Sequence, residues 1–222
     1  MAKSVRDLSW LRTEGYSEVA SLKLVGDRFS LDSRQRNAIR RSSCSDQSLE
    51  IRQKNEVDSK QTGGKVLRID GFNILTTIES ALSGAVIIIG RDGVYRDIAS
   101  LHGTFRKVLE TKPAIELIAD AVKSLPVENC IWHFDKPVSN SGQISKLVRE
   151  VGDEKGVKWE TILEHDPDPT LAKSLDVIAT ADSVILDQCR EWIGMAKLTI
   201  DLAGIEFWKV DFEAAQKRAF EG

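Results

Sequence analysis

Val66-Leu67-Arg68-Ile69-Asp70-Gly71-Phe72-Asn73 is a short, largely apolar run that stops at an acid and a glycine, followed by a helical stretch at Thr76–Leu82. Such a run reads as a strand bounded by a turn. Working outward, similar runs recur at Ala85–Ile89, Cys130–Phe134, Val157–Leu163, Val177–Thr180 and Leu198–Ile200. Helical stretches at Ala114–Ser124, Gly142–Val151 and Ser183–Ile193 separate several of them. Strands alternating with helices predict an α/β fold with a mainly parallel sheet covered by helices on both faces. One local exception is Asp92-Gly93, set between the β-prone runs Val86–Ile89 and Val94-Tyr95, which signals an antiparallel hairpin.

Upstream of this domain the chain reads differently. Val5, Leu8 and Leu11, then Val19, Leu22 and Val25, recur at helical spacing, with Gly15 and Ser17 as a stop and a cap and Gly26 as the second close. Ser30–Ser33 offers the cap for a third helix through about Arg41, whose face carries Arg34, Arg36, Arg40 and Arg41. The predicted organisation is a small helical N-terminal module over residues 1–44, a polar linker over 45–64 with one short strand around Leu49–Ile51, and the α/β domain over 65–222.

Composition bounds the function classes. Hydrophobic residues at 41% and charged residues at 29% are ordinary for a folded chain and exclude wholesale disorder. The apolar run Ala85–Ile89 is far too short to cross a bilayer, and the N-terminus lacks the apolar core of a signal peptide. Cys44, Cys130 and Cys189 form no CxxC pair, so reduced thiols in the cytoplasm are expected. The net charge is −3, but residues 1–60 carry 12 Lys/Arg against 9 Asp/Glu while the remainder carries 19 against 25. A basic module on an acidic domain fits substrate capture by one part and metal binding by the other.

Several of the strands end in acids: Asp70, Asp135 and Asp182, with Asp187 one helical turn further on. The carboxyl ends of parallel strands share one edge of the sheet, where ligands bind, so acids distant in sequence can meet there. Clustered carboxylates stay ionised together only around a cation, and hard oxygen donors suit Mg²⁺ or Mn²⁺. The plainer reading of each acid is a turn former, or a helix cap in the case of Asp182 before Ser183.

The segments Ile69–Asn73, Asp135 and Ala179-Thr180-Ala181-Asp182-Ser183 followed by Asp187 resemble the acid layout of PIN/NYN-type nuclease domains. The whole chain also resembles a prokaryotic family that joins a short helical segment, the domain of unknown function 434, to such a domain. This second likeness lies in Gly15-Tyr16 through Val25–Phe29, Leu101–Arg106 and Asp135–Gly142. The resemblance implies a PIN-like fold and Mg- or Mn-dependent ribonuclease activity over roughly residues 65–202. Asp70 becomes the central ligand, Asp135 and Asp182 further catalytic ligands, Asp187 an outer carboxylate, and Asn73 an orienting or phosphate-touching group. Glu79 or Asp97 would complete the set. Homodimers recur in that superfamily, so a homodimer is an arrangement the resemblance allows.

Other polar residues have two readings each. Ser139 and Ser141 precede a helix whose N-terminus suits a phosphate, or they simply cap it. His102 and Arg106 lie four apart and would share a helix face toward substrate, unless Gly103 breaks that helix. The third helix could follow an RNA backbone through Arg34, Arg36, Arg40 and Arg41, or present a solvated face. His133 lies within an apolar run and reads as core, while Asp166 and Asp168 read as turn formers. The leading expectation is a ribonuclease, and the alternative is a noncatalytic RNA-binding protein that keeps the fold. A phosphatase with Asp70 as nucleophile is disfavoured, because Phe72 stands where a second acid is needed.

Overall fold

The computed structural model describes residues 1–98 and 108–212. Four helices open the chain: α1 (Ala2–Thr13), α2 (Glu18–Arg28), α3 (Ser33–Ser42) and α4 (Asp46–Asn55). Val5, Leu8, Val25 and Ile39 form the small core of this bundle. Gly26 does not close α2. It lies inside the helix, where a Cβ would come within 2.1 Å of the Arg36 guanidinium, so the glycine permits a close approach of α3 instead.

Residues 46–55, expected as linker with a strand at Leu49–Ile51, are helical. Ser45 caps α4 by accepting from the Ser48 N–H, and one buried side chain, Arg52, fixes it to the rest of the molecule. A helix anchored by a single arginine shows no apolar period, which is why its pattern is silent.

After a 3-10 turn (Ser59–Thr62), β1 (Val66–Asp70), β4 (Asn129–Asp135), β5 (Trp159–Glu164), β6 (Val177–Ala179) and β7 (Glu191–Trp192) form a parallel sheet in the order β5-β4-β1-β6-β7. The hairpin expected at Asp92-Gly93 is present: β2 (Val86–Ile89) pairs antiparallel with β3 (Tyr95–Asp97). A second, three-stranded sheet is completed by β8 (Trp208–Asp211), parallel to β2. The run Leu198–Ile200 is not a strand but part of α10 (Met195–Ala203), whose buried Met195, Ala196, Thr199 and Ile200 follow helical spacing. Three apolar residues alone cannot reveal that period. Helix α9 (Ser183–Leu186) stops well short of Ile193, and Glu191–Trp192 form β7 instead.

One face of the main sheet (Leu67, Ile69, Cys130, Trp132, Phe134, Val177, Ala179) packs on α5 (Gly71–Leu82), α6 (Thr111–Lys123), α7 (Ser141–Lys155) and α10 in the main core. On the other face Ile178 and Trp192 pack with Leu171 of α8 (Asp168–Ala172) and with Ile185 and Leu186 of α9 (Ser183–Leu186). There, too, His133 is buried between Arg68, 3.1 Å from Nε2, and Glu164, 2.5 Å from Nδ1. Arginine only donates, so Nε2 accepts and the proton sits on Nδ1 toward Glu164. His133 is thus a sheet-face residue.

The chain leaves β1 toward β4 and β5 and returns to β6 on β1's other side. The β1/β6 pair is therefore the switch point, where crossovers diverge and the carboxyl edge opens into a crevice. No helix among the described residues is long and apolar enough to cross a membrane.

Candidate functional site

Asp70 ends β1 at this switch point and is 2% exposed. The Thr180 hydroxyl, just past β6, donates to its Oδ2 at 2.6 Å, and the Asn73 amide, one turn into α5, donates to the same oxygen at 2.7 Å. Oδ1 receives no hydrogen bond from the described residues. Gly71 lets α5 start so close to β4: a Cβ there would lie 2.3 Å from the Phe134 ring and 2.8 Å from the His133 carbonyl.

Above Asp70 lies a cleft of about 270 Å³. Asn73 and Thr76 of α5, Asp135 at the end of β4, Asp168 at the start of α8 and Asp182 before α9 line it. Asp97 from β3 and Arg41 from α3 line it as well. Asp182 caps α9 through Oδ1, which accepts from the Val184 and Ile185 N–H groups at 2.7 and 3.3 Å. Its cap role and its place in the cleft coexist, because Oδ2 takes no bond from the described residues.

Burial pushes the Asp70 carboxyl up to about 7, with the Asp182 and Asp168 charges adding to the rise and the Thr180 and Asn73 hydrogen bonds opposing it. Asp168 is pushed up to about 6 by burial and then by Asp182, Asp166 and Asp135. Asp135 is raised by burial, with Asp166 and Glu164 contributing. These groups feel one another, and Arg41 is the cation that lines the cleft with them among the described residues. Among the described residues, however, no three His, Cys, Asp or Glu side chains are gathered in metal-ligating geometry. The acids share a cleft without converging on one point.

Of the expected site, Asn73, Asp135 and Asp182 line the cleft, and Asp70 is buried beneath it, bonded to Asn73. Asp187 does not join them: it accepts from Arg52 Nε at 2.7 Å and Ser48 Oγ at 3.2 Å, tying α4 to the end of α9. Between Glu79 and Asp97, the cleft holds Asp97, whereas Glu79 accepts from the Thr111 hydroxyl at 2.5 Å and is pushed up to about 7 chiefly by burial. Neither Ser139, which is exposed, nor Ser141, whose Oγ donates to the Lys136 carbonyl at 3.1 Å, is among the residues that line the cleft. His102 and Arg106 lie outside the described residues.

The four arginines of α3 do not form one stripe, since 100° per residue turns them different ways. Arg36 bonds Asp27 at 2.8 Å and the Leu31 carbonyl at 2.8 Å, and Arg40 bonds Asn37 at 3.0 Å. Arg34 lines a separate groove beside Ile98. Arg41 alone of the four enters the cleft. Asp168, read from the sequence as a turn former, lines the cleft, and Thr180, present in the late acid segment but given no role there, bonds Asp70. The legible signal for Asp168 was its position just after β5, at the same carboxyl edge as the others.

The family model described as domain of unknown function DUF5616 matches residues 59–198, and that described as protein of unknown function DUF434 matches residues 1–55. The uncharacterised protein MJ0935 of Methanocaldococcus jannaschii is 29% identical over 184 residues, which cover 83% of this chain and 88% of that relative. No solved structure matches the chain significantly. The helical module followed by the acid-edged α/β domain therefore has a family: the chain belongs to the DUF5616 family, with a DUF434 segment at its N-terminus.

Proposed function

We propose that the cleft binds Mg²⁺ or Mn²⁺ and hydrolyses phosphodiester bonds of RNA, as a PIN-like ribonuclease of the cytoplasm. The observation that carries this reading is Asp70: a carboxyl at the switch point raised first by burial and then by the Asp182 and Asp168 charges, with one oxygen fixed by Thr180 and Asn73 and the other without a protein donor among the described residues. A cation is what such a group lacks. The donor chemistry fits, because Asp135, Asp168 and Asp182 in the cleft and Asp70 buried beneath it offer only carboxylate oxygens, the ligands hard divalent ions prefer.

A divalent ion at such a place supplies a bound water of lowered pKa and offsets charge on the phosphate. The chain's own part is positional. Asn73 and Thr180 hold the Asp70 carboxylate in one orientation, and the α9 N-terminus holds Asp182 through its capping oxygen. Three buried free cysteines suit a reducing compartment.

The test is incubation of mixed RNA and single-stranded DNA with Mn²⁺, Mg²⁺ or EDTA, beside Asp70→Asn and Asp182→Asn. Metal-dependent RNA cleavage lost in both variants supports the reading. RNA bound but uncut under every metal would replace it with the noncatalytic RNA-binding alternative, which the unconverged acids favour.

A further inference from the structure

We propose that Arg41, contributed by the helical N-terminal module, is the group that receives a phosphate oxygen of the substrate, so that the site is shared between the DUF434 and DUF5616 segments. The identity of the anion rests on the phosphodiesterase reading; the observation that singles out Arg41 does not.

A buried guanidinium is stable when its five N–H donors find acceptors. Arg52 donates to Asp187, Asp92 and the Ser183 carbonyl. Arg96 donates to the Ala181 carbonyl and twice to Asp92. Arg41 is unlike both. Its side chain is only 19% exposed, yet its contact with Asp97 Oδ2 is 3.6 Å, too long for a hydrogen bond. Its Nε is buried with no acceptor among the described residues. Burial disfavours its charge, while Asp97 and Asp182 pull the other way.

The mount of this side chain is rigid. The Ser42 carbonyl, next along the chain, accepts from the Arg91 N–H at 2.9 Å, and the Ser42 hydroxyl donates to the Ala38 carbonyl at 2.7 Å. Helix α3 is thereby locked to the hairpin that carries Asp97. An underbonded guanidinium held at the mouth of an acidic cleft is a receptor for an oxyanion, and its planar fork matches two phosphate oxygens. The charge arrangement gives the order of needs. Asp70, Asp135, Asp168 and Asp182 repel a phosphate until a cation joins them. Arg41 is the cation lining the cleft among the described residues, and the Asp182 charge acts on it. A phosphodiester would be held between the two positive charges.

The experiment uses the full chain and compares wild type, Arg41→Ala and Arg41→Lys in Mg²⁺. It measures Mg²⁺ affinity by calorimetry and binding of a fluorescein-labelled oligouridylate by anisotropy. The expected result is unchanged Mg²⁺ affinity in both variants. Oligouridylate binding falls about 10- to 100-fold in Arg41→Ala, the loss of one charge-assisted hydrogen-bonded contact. Arg41→Lys recovers only part, because an ammonium has no fork. Wild-type RNA affinity in Arg41→Ala, or a parallel loss of Mg²⁺ affinity, would overturn the proposal. If wild type binds no RNA, the phosphodiesterase reading fails separately, and inorganic phosphate then decides. Phosphate that raises the Tm of wild type but not of Arg41→Ala keeps Arg41 as the anion receptor, and an equal effect on both removes it.

Discussion

Asp70→Asn should make the metal-free protein more stable at pH 8, an unusual outcome for a substitution in a buried site. A carboxyl held near 7 instead of 3.8 costs the folded state about 4 kcal/mol once it is ionised, at 1.36 kcal/mol for each tenfold step. The sign follows from proton counting: between about pH 4 and 7 the folded chain keeps a proton that the unfolded chain has released. Stability of the wild type therefore falls as pH rises through that window. An asparagine with its carbonyl in the place of Oδ2 keeps both hydrogen bonds, from Thr180 and Asn73, and its amide takes the place of the oxygen that has no protein donor among the described residues. Local relaxation absorbs part of the gain, so the expected rise is about 2 to 4 kcal/mol at pH 8, several degrees in Tm for a chain of this size. Urea unfolding in EDTA at pH 5 and pH 8 reads it directly, with the variant also losing the slope between the two. Adding Mn²⁺ should stabilise wild type by mass action and leave the variant unmoved. If Asp70→Asn is no more stable than wild type at pH 8 and shows the same pH slope, the carboxyl is not under the strain that the cation argument requires.

Two further substitutions probe the frame of the site. Arg52→Met leaves Asp92 and Asp187 short of a cation in a region where Arg52 is 1% exposed, and should cost about 3 to 5 kcal/mol in urea unfolding; a loss under about 1 kcal/mol would mean the network is not coupled as its geometry indicates. Gly71→Ala forces a methyl group against the Phe134 ring and the His133 carbonyl, and should cost about 1 to 3 kcal/mol. Gly142→Ala, which meets nothing within 4 Å, serves as its harmless control, and equal effects of the two would refute the packing argument.

Sequence and structure agree wherever a residue's role is set by its own strand. Asp70, Asp135 and Asp182 each follow a short apolar run, and a parallel sheet puts such ends on one edge, so three acids and Asn73 were readable one motif at a time. The hairpin at Asp92-Gly93 was readable too, but only as a turn. That Asp92 also accepts from Arg52 and Arg96 depends on two elements meeting it in space, and although burial pushes its carboxyl up, the charges and hydrogen bonds of those two arginines hold it well below the usual carboxylate range. Asp97 and Arg41 belong to the same class, brought to the cleft by a separate small sheet and by α3. Helix α4 hid for a related reason: its only fully buried side chain is charged, and a hydrophobic period cannot announce a helix whose anchor is an arginine.

The matched segments end at residue 55 and begin again at 59, yet the physical seam is elsewhere. Arg52 of α4 donates to the Ser183 carbonyl and to Asp187, and Arg96 of β3 donates to the Ala181 carbonyl. Those three acceptors straddle Asp182. Trp192, at the end of β7, donates from Nε1 to the Arg52 carbonyl at 2.8 Å, and Val57 donates its N–H to the Trp192 carbonyl at 2.8 Å. Two arginines and two aspartates balance in charge, so this buried network leaves no stranded ion and can be rigid without a large penalty. The sequence alone suggested a basic arm that captures substrate beside an acidic domain that binds metal. The contacts also make the helical module part of the cleft's frame, since it fixes the loop that carries Asp182 and supplies Arg41 to the lining. Separating the two segments would therefore remove a wall of the cleft, and the carboxylates left behind would lose the brace that sets their spacing.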